Sequence, residues 1–331
     1  MTAASPGLWM LAWRRLRADR IAMLALAVVA AFLLLLALSA SGLVAADWEQ
    51  EVGVNYAPPM FAGADAASAA VQAAHGALAP NPFDPLAADI AALGQSGKLV
   101  APAAKRTTLP FGADKWGHDI VKKTVKGAQT SIVVGLGAAL LAVVLGTLFG
   151  AFAGFYGGLV DDLFNWFYSV FTSIPAILMI LTVAAVLQQK GIVTIVLILG
   201  LTGWTGPFRL IRAEYIKHKG REYVLAAHAI GASNWRKMFS HIFPNVSHVA
   251  LVQLSILVVG FIKAEVILSF LGFGVPVGTV SWGSMLNEAQ NELILGKWWQ
   301  LAAAASSMAV LVTAFSLLTD ALRDALDPKL K

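Results

Sequence analysis

Few residues in this chain have the type and spacing to do chemistry. The six histidines, His75, His118, His218, His228, His241 and His248, show no H-E-x-x-H spacing and no neighbouring carboxylate cluster, so they do not form a metal-ligand set. No cysteine is present, which excludes thiol nucleophiles, disulfides and Cys-ligated metal centres. There is no G-x-S-x-G nucleophile elbow and no G-x-x-x-x-G-K-[ST] phosphate loop. Hydrolysis and nucleotide chemistry therefore have no home in these residues. The exceptions are two charges set in an apolar run, Lys263 and Glu265. Charge at membrane depth is expensive and usually faces a cavity or a partner. Standing two apart on a helix, the pair points to different sides and is not expected to bond to itself. Glu265 is the candidate for a pathway or helix-contact residue, and a structural hydrogen bond to a neighbouring helix is an equal reading.

The elements that carry these residues follow from composition. Of the 331 residues, 58% are hydrophobic and 13% charged, against roughly one quarter charged in soluble domains, and the mean hydropathy is +0.72. About 20 apolar residues cross a bilayer as a helix. Six stretches qualify: Ile21–Ala40, Ser131–Phe155, Leu163–Leu187, Ile192–Leu210, Val246–Leu271 and Leu301–Leu318. The first is longer than the apolar core of a secretory signal and is taken as a retained helix. The net charge of +5 is not taken as a nucleic-acid signal, because it is the placement of the charges that informs. Arg14, Arg15, Arg17 and Arg20 precede the first span; Arg209, Arg212, Lys217, Lys219, Arg221, Arg236 and Lys237 lie between the fourth and fifth; Arg323, Lys329 and Lys331 close the chain. The positive-inside tendency then puts both termini in the cytoplasm. Lys122, Lys123 and Lys126, beside the outer end of the second span, run against it.

On this reading residues 1–20 are a cytoplasmic segment, 21–40 the first span, 41–130 an extracytoplasmic insert, and 131–331 a core of five spans with a cytoplasmic loop at 211–245. Prolines 58, 59, 80, 82, 85, 102 and 110 limit regular structure in the insert, apart from an Ala-rich helix over Ala66 to Ala79. Trp298 and Trp299 stand where an aromatic belt belongs. Gly146, Gly150, Gly154 and Gly158, each four residues from the last, predict one smooth helix face for close packing, inside this subunit or against another. Pro175 interrupts the third span, and Gly200, Gly203, Gly206 and Pro207 the fourth. Such breaks suit moving or pathway-lining segments, or simple kinks.

The cytoplasmic stretch EYVLAAHAIGASNWRKMFSHIFPNV, residues 222–246, predicts two short helices at an angle. Tyr223, Ala227 and Ile230 share a face, Gly231 supplies the left-handed stop, and Ser233 or Asn234 caps a second helix. That helix carries Trp235, Met238, Phe239 and Ile242 at helical spacing, and Pro244 closes it. The pair could lie flat on lipid or dock a soluble partner. Ala226, Ala227, Gly231 and the later His241-Ile242-Phe243-Pro244 resemble the EAA loop of binding-protein-dependent ABC importer permeases. Leu225 stands in place of the motif's Glu, Glu222 lies three residues earlier, and Phe243 replaces a Leu. LPFGADKWGHDIVKKTVKGAQTSIVVGL (109–136), EVILSFLGFGVPVGTVSWGSML (265–286) and DALRDALDP (320–328) are similar to stretches of the dipeptide/oligopeptide/nickel subfamily, in its second, C-type subunit. The resemblance covers 109–331 and the first span.

This resemblance implies an all-α integral membrane protein with six transmembrane helices, the type I ABC importer permease fold. It implies no catalytic residue, metal or cofactor in this chain, with ATP and Mg on partner subunits. The implied docking residues are Glu222, Ala226, Ala227, Gly231, Ala232, Ser233, Asn234, Trp235 and Pro244. The implied partners are a homologous second permease, two ATPase subunits, an extracytoplasmic solute-binding protein and the bilayer of the cytoplasmic membrane, with no nucleic acid. The cargo would be peptides or another small solute such as nickel, moved by alternating access. An ion-gradient-driven transporter would instead show internal repeats and midplane carboxylates. A membrane-embedded enzyme would need the nucleophile and metal sets that are missing.

Overall fold

Ile120–Tyr156 forms one continuous 37-residue helix, α3, around which the other helices are arranged. The computed structural model describes residues 8–63, 105–276 and 278–326. Before α3 come α1 (Leu8–Ala18) and α2 (Arg20–Ala40); after it come α4 (Gly158–Thr172), α5 (Ala176–Leu187), α6 (Ile192–Thr202), α7 (Thr205–Lys219) and α8 (Glu222–Ala229). A longer helix, α9, runs from Asn234 to Phe270, and α10 (Trp282–Ile294) and α11 (Trp299–Leu326) complete the order. Among the described residues no strand forms, only isolated bridges. The Ala-rich helix expected over Ala66 to Ala79 lies outside them.

Among the described residues four helices are long and apolar enough to cross a membrane: α2, α3, α9 and α11. Two further crossings are broken. α4 and α5 meet at 83°, and α6 and α7 at 41°, so six spans result if each bent pair counts as one. The third span is therefore not the single helix that apolar length suggests. Pro175 lacks a donor N–H and caps α5 instead of extending α4. In the fourth span the break falls at Gly203, while Pro207 sits in the first turn of α7, where its missing N–H costs nothing.

Small residues let the neighbours approach α3. A side chain at Gly146, Gly150 or Gly154 would collide with the backbone of α7, at 2.5, 2.8 and 2.6 Å from Trp204 O, Phe208 O and Arg212 O respectively. The glycine face thus packs within this chain. Gly158 corrects the expectation: α3 ends at Tyr156, Gly158 adopts φ +52° at the start of α4, and nothing lies within 4 Å of its missing Cβ. Beside this seam, Trp204 packs against Phe149, Phe167, Phe171 and Phe208, and Arg212 makes a bidentate pair with Asp161 at 2.5 and 2.6 Å, holding α4 to α7.

The insert folds its described parts against the bundle end. Ala57, Leu109 and Ala113 form a small buried core with Val52 and Val54. Two expectations change here. First, the helix expected from Ser131 begins at Ile120, so residues 120–130 belong to α3 and not to the insert. Two of the three lysines along this extension are paired: Lys122 with Asp47, and Lys123 with Asp114 and Glu288, each at 2.6 Å. Second, Trp299 is buried and its indole N–H donates to Ala113 O at 2.7 Å, so it locks the insert to α11; only Trp298 is exposed enough for a belt.

Candidate functional site

The stretch after α7 is built as an elbow. α8 ends in a reciprocal cap in which Gly231 N–H donates to His228 O and Ala232 N–H to Ala227 O, both at 3.0 Å. Gly231 holds φ +81°, a conformation that a side chain resists. Ser233 then caps the next turn, its hydroxyl accepting from Arg236 N–H at 3.3 Å. Here the two-helix expectation is corrected. The second element does not stop at Pro244; residues Lys237–Ile242 wind as a π-helix and lead without interruption into the transmembrane part of α9. Pro244 falls in the first turn of the regular helix that follows. The wider π turn precedes it, where an α turn would set the proline ring against the carbonyl four residues back.

The elbow is fastened to the bundle. Met238, Ile242 and Val246 are fully buried against Ile211, Tyr215 and Val224. Tyr215 Oη donates to Met238 O at 3.1 Å. The Lys237 ammonium, buried near the Phe155 ring, donates to His228 Nδ1 at 3.1 Å and so bridges α8 to α9. The inward stripe of α8 is Val224 and Ala227. The face expected from Tyr223, Ala227 and Ile230 is not the buried one: Ile230 lies beyond the last helical turn and is 84% exposed, and Tyr223 turns to His218 Nδ1 at 2.8 Å. Trp235 faces out likewise, its ring tilted against that of Phe239 at 4.3 Å between centroids.

Of the residues singled out from the sequence, Glu222, Ala226, Gly231, Ser233, Asn234, Trp235 and Pro244 are exposed, Ala232 is half-buried and Ala227 is buried. All but Pro244 precede the π turn at Lys237–Ile242. The sequence reading left Leu225 and Ile230 out of the docking set, naming one as a departure from the motif and the other as part of a helix face; at 56% and 84% exposure they give the elbow an apolar rim. The failing helix period past Ala229, ahead of the glycine stop, was the available signal.

Glu265 lies on α9, fully buried, and accepts from Ser131 Oγ of α3 at 2.6 Å and from Ser269 Oγ at 2.7 Å. The Trp282 backbone N–H reaches the same Ser131 hydroxyl at 3.3 Å. This carboxyl therefore joins α3, α9 and the start of α10. Lys263 is exposed on another side, as their two-residue separation requires. Ser131→Ala should lower stability by about 1–3 kcal/mol, because a buried carboxyl oxygen loses its donor. The thermal midpoint of the detergent-solubilised chain checks this; an unchanged midpoint would remove Ser131 from the junction.

A second charged junction, which sequence reasoning did not assemble, sits at the insert end. Lys123 Nζ donates to Asp114 Oδ2 and Glu288 Oε2 at 2.6 Å each and to Gln300 Oε1 at 3.2 Å, joining the insert, α3, α10 and α11. Asp114 also accepts from the backbone N–H groups of Trp116 and His118. Its carboxyl, although burial alone would raise it, is held below the usual carboxylate range by the Lys123 charge.

Comparison with known proteins agrees with this architecture. Residues 146–331 match the family described as the binding-protein-dependent transport system inner membrane component, and residues 7–59 match the N-terminal transmembrane domain of oligopeptide transport permease C. The chain is 37% identical to the dipeptide transport system permease protein DppC of Bacillus subtilis over 67% of this chain and 69% of the relative. It is 34% identical to the oligopeptide transport system permease protein OppC of the same organism, over 67% and 72%. The DppC of Lactococcus lactis is 33% identical over 66% and 63%.

Proposed function

Because the chain belongs to the family of binding-protein-dependent transport system inner membrane components, we propose that it is the permease subunit of an ATP-driven importer of peptides, with the elbow at residues 222–244 as its docking point for the ATPase. The relatives named above are dipeptide and oligopeptide permeases, which supports peptides as cargo. The working assembly pairs this chain with a second permease, two ATPase subunits and a solute-binding protein at the insert end. Nucleotide and its magnesium reside on the ATPase subunits. The membrane is the cytoplasmic one, with both termini and the elbow inside and the insert outside. The basic residues around α7, α8 and the elbow support that orientation.

One observation carries the reading. The elbow has an exposed apolar rim of Leu225, Ile230 and Trp235, yet its other side is continuous through the π turn with α9. Force applied at the rim would pass into a helix that spans the membrane. A flexible loop would absorb it. Closure of the ATPases would then rock the bundle so that a pathway between the two permeases opens alternately to each side. The broken pairs α4/α5 and α6/α7 are the segments suited to line that pathway, while Glu265 with its two serines acts as a helix-contact residue. With Leu225 in place of the motif's acid, an apolar contact replaces the salt bridge that a Glu there would make.

The test is association. Gly231→Val forces a β-branched residue into φ +81° and should abolish co-purification with the ATPase subunits while leaving membrane insertion intact. The elbow lies at the surface with nothing within 4 Å of the missing Cβ, so the bundle has no steric reason to unfold. Wild-type co-purification of this variant would remove the docking role from the elbow.

A further inference from the structure

Glu292, on α10, is 1% exposed, and among the described residues neither carboxyl oxygen has a hydrogen-bond partner. It stands one helical turn beyond Glu288, beside the junction that Lys123 makes. The groups that act on it are Lys123 from α3, Glu288 on its own helix, and Asp114, the Lys115 backbone and Tyr56 from the insert side; His118 and Gln300 bond to Asp114 and Lys123 respectively. The Lys115 backbone N–H faces the carboxyl outside hydrogen-bond geometry. Lys123 is the buried cation of the group, and both Asp114 and Glu288 already engage it at 2.6 Å. A third carboxylate there would be a buried charge without a hydrogen-bond donor, its one nearby cation already shared by two others, which is strongly disfavoured. Among the described residues, no three of these groups converge as metal ligands.

We propose that Glu292 is a proton-binding site: its carboxyl is a neutral acid in this packed state, and it releases the proton when α10 parts from α3. Burial pushes this carboxyl up to about 7, from an ordinary 4.5; Lys123 opposes the rise, and Asp114 and Glu288 add to it. The insert end would thereby respond to proton activity on its own side of the membrane. A neutral Glu292 leaves Lys123 to its two partners and keeps the junction closed, whereas an ionised one competes with Glu288 for the same ammonium. The coupling to α10 movement rests on the alternating-access reading above. The protonation does not.

The folded state holds the proton through a pH range in which the unfolded chain has lost it. Stability from this group is therefore complete below the ordinary carboxylate range, falls as pH rises towards 7, and is level above it. In the purified full chain, the infrared carbonyl stretch of a protonated carboxylic acid should disappear with a midpoint near pH 7, and the disappearing band should be absent from Glu292→Gln. The thermal midpoint of Glu292→Gln should lack the decline between about pH 4.5 and 7. Glu288→Gln leaves Lys123 more available to Glu292 and should move the infrared midpoint to lower pH; it reads the same site if Glu292→Gln fails to fold. A wild-type spectrum without the band at pH 6, or a Glu288→Gln midpoint that does not move, would overturn the assignment. So would a midpoint that follows sodium concentration at constant ionic strength, since the ligand would then be a metal cation. If the protonation holds but the transporter's ATPase rate ignores it, the site stands and the link to gating falls.

Discussion

Gly146→Val should leave almost no folded protein to extract from the membrane. The Cβ alone would stand 2.5 Å from Trp204 O, 2.7 Å from Pro207 Cβ and 2.8 Å from Phe208 N. These are backbone atoms and a rigid ring, so no side chain can swing aside, and the γ-methyls of valine add to the conflict. Overpacking in a close-packed interior costs about 1–3 kcal/mol and occasionally more. We place this substitution at the upper end or beyond, because α3 and α7 meet along Gly150 and Gly154 as well and cannot part at one point only. Gly158→Ala is the control. It meets nothing within 4 Å and bears only the strain of φ +52°, about 1–2 kcal/mol, which an asparagine there would lessen. Extraction yield and thermal midpoint in detergent separate the two. Equal behaviour of Gly146→Val and Gly158→Ala would mean that the helix seam is not tightly closed.

Lys123→Met should be the most damaging single loss of charge. Its side chain is 3% exposed and that of Asp114 is fully buried, and removing one member of such a pair leaves the other without compensation, at about 3–5 kcal/mol. The adjacent Lys122 has the same formal charge, but its pair with Asp47 is well exposed, so Lys122→Met should cost about 1 kcal/mol or less. The two variants also differ in their response to acid. Because Lys123 holds the Asp114 carboxyl below its usual range, Asp114 contributes stability that is present above that range and lost as pH falls through it. Without Lys123 the Asp114 carboxyl is no longer held down, so this acid limb should shrink or vanish, whereas Lys122→Met should leave it in place. Denaturation midpoints across the acid range give the answer; coincident curves for the two variants would dissolve the junction as described. The Glu292 component runs with the opposite sign, so the insert end should have a stability optimum on the acid side of neutrality.

Some features were legible because local rules decide them. The apolar runs had to be spans, since no soluble core consumes so many hydrophobic residues with so few charges. Gly231 had to be a turn: it follows an amphipathic run and precedes a serine cap, and its φ proves positive. The glycines every fourth residue of α3 marked a close helix approach, but α7 as the partner, and the exclusion of Gly158 from the seam, depended on where α3 ends. Pro175 announced a break, and the 83° bend that followed came from packing.

What this sequence determined by itself is the kind of molecule: a helical bundle for lipid, with a basic elbow and motifs placing it among importer permeases. The bundle and the elbow follow from periodicity and composition, which act within a few residues of each other, and the family from the resemblance of its motifs. Tertiary structure alone decided which charges survive burial. Lys123 and Glu288 are separated by 165 positions and Ser131 and Glu265 by 134, and nothing in either neighbourhood announces the other. Glu292 was invisible for the same reason, because an acid without a partner is defined by its surroundings, and those are assembled from α3, α10, α11 and the insert only when the chain has folded.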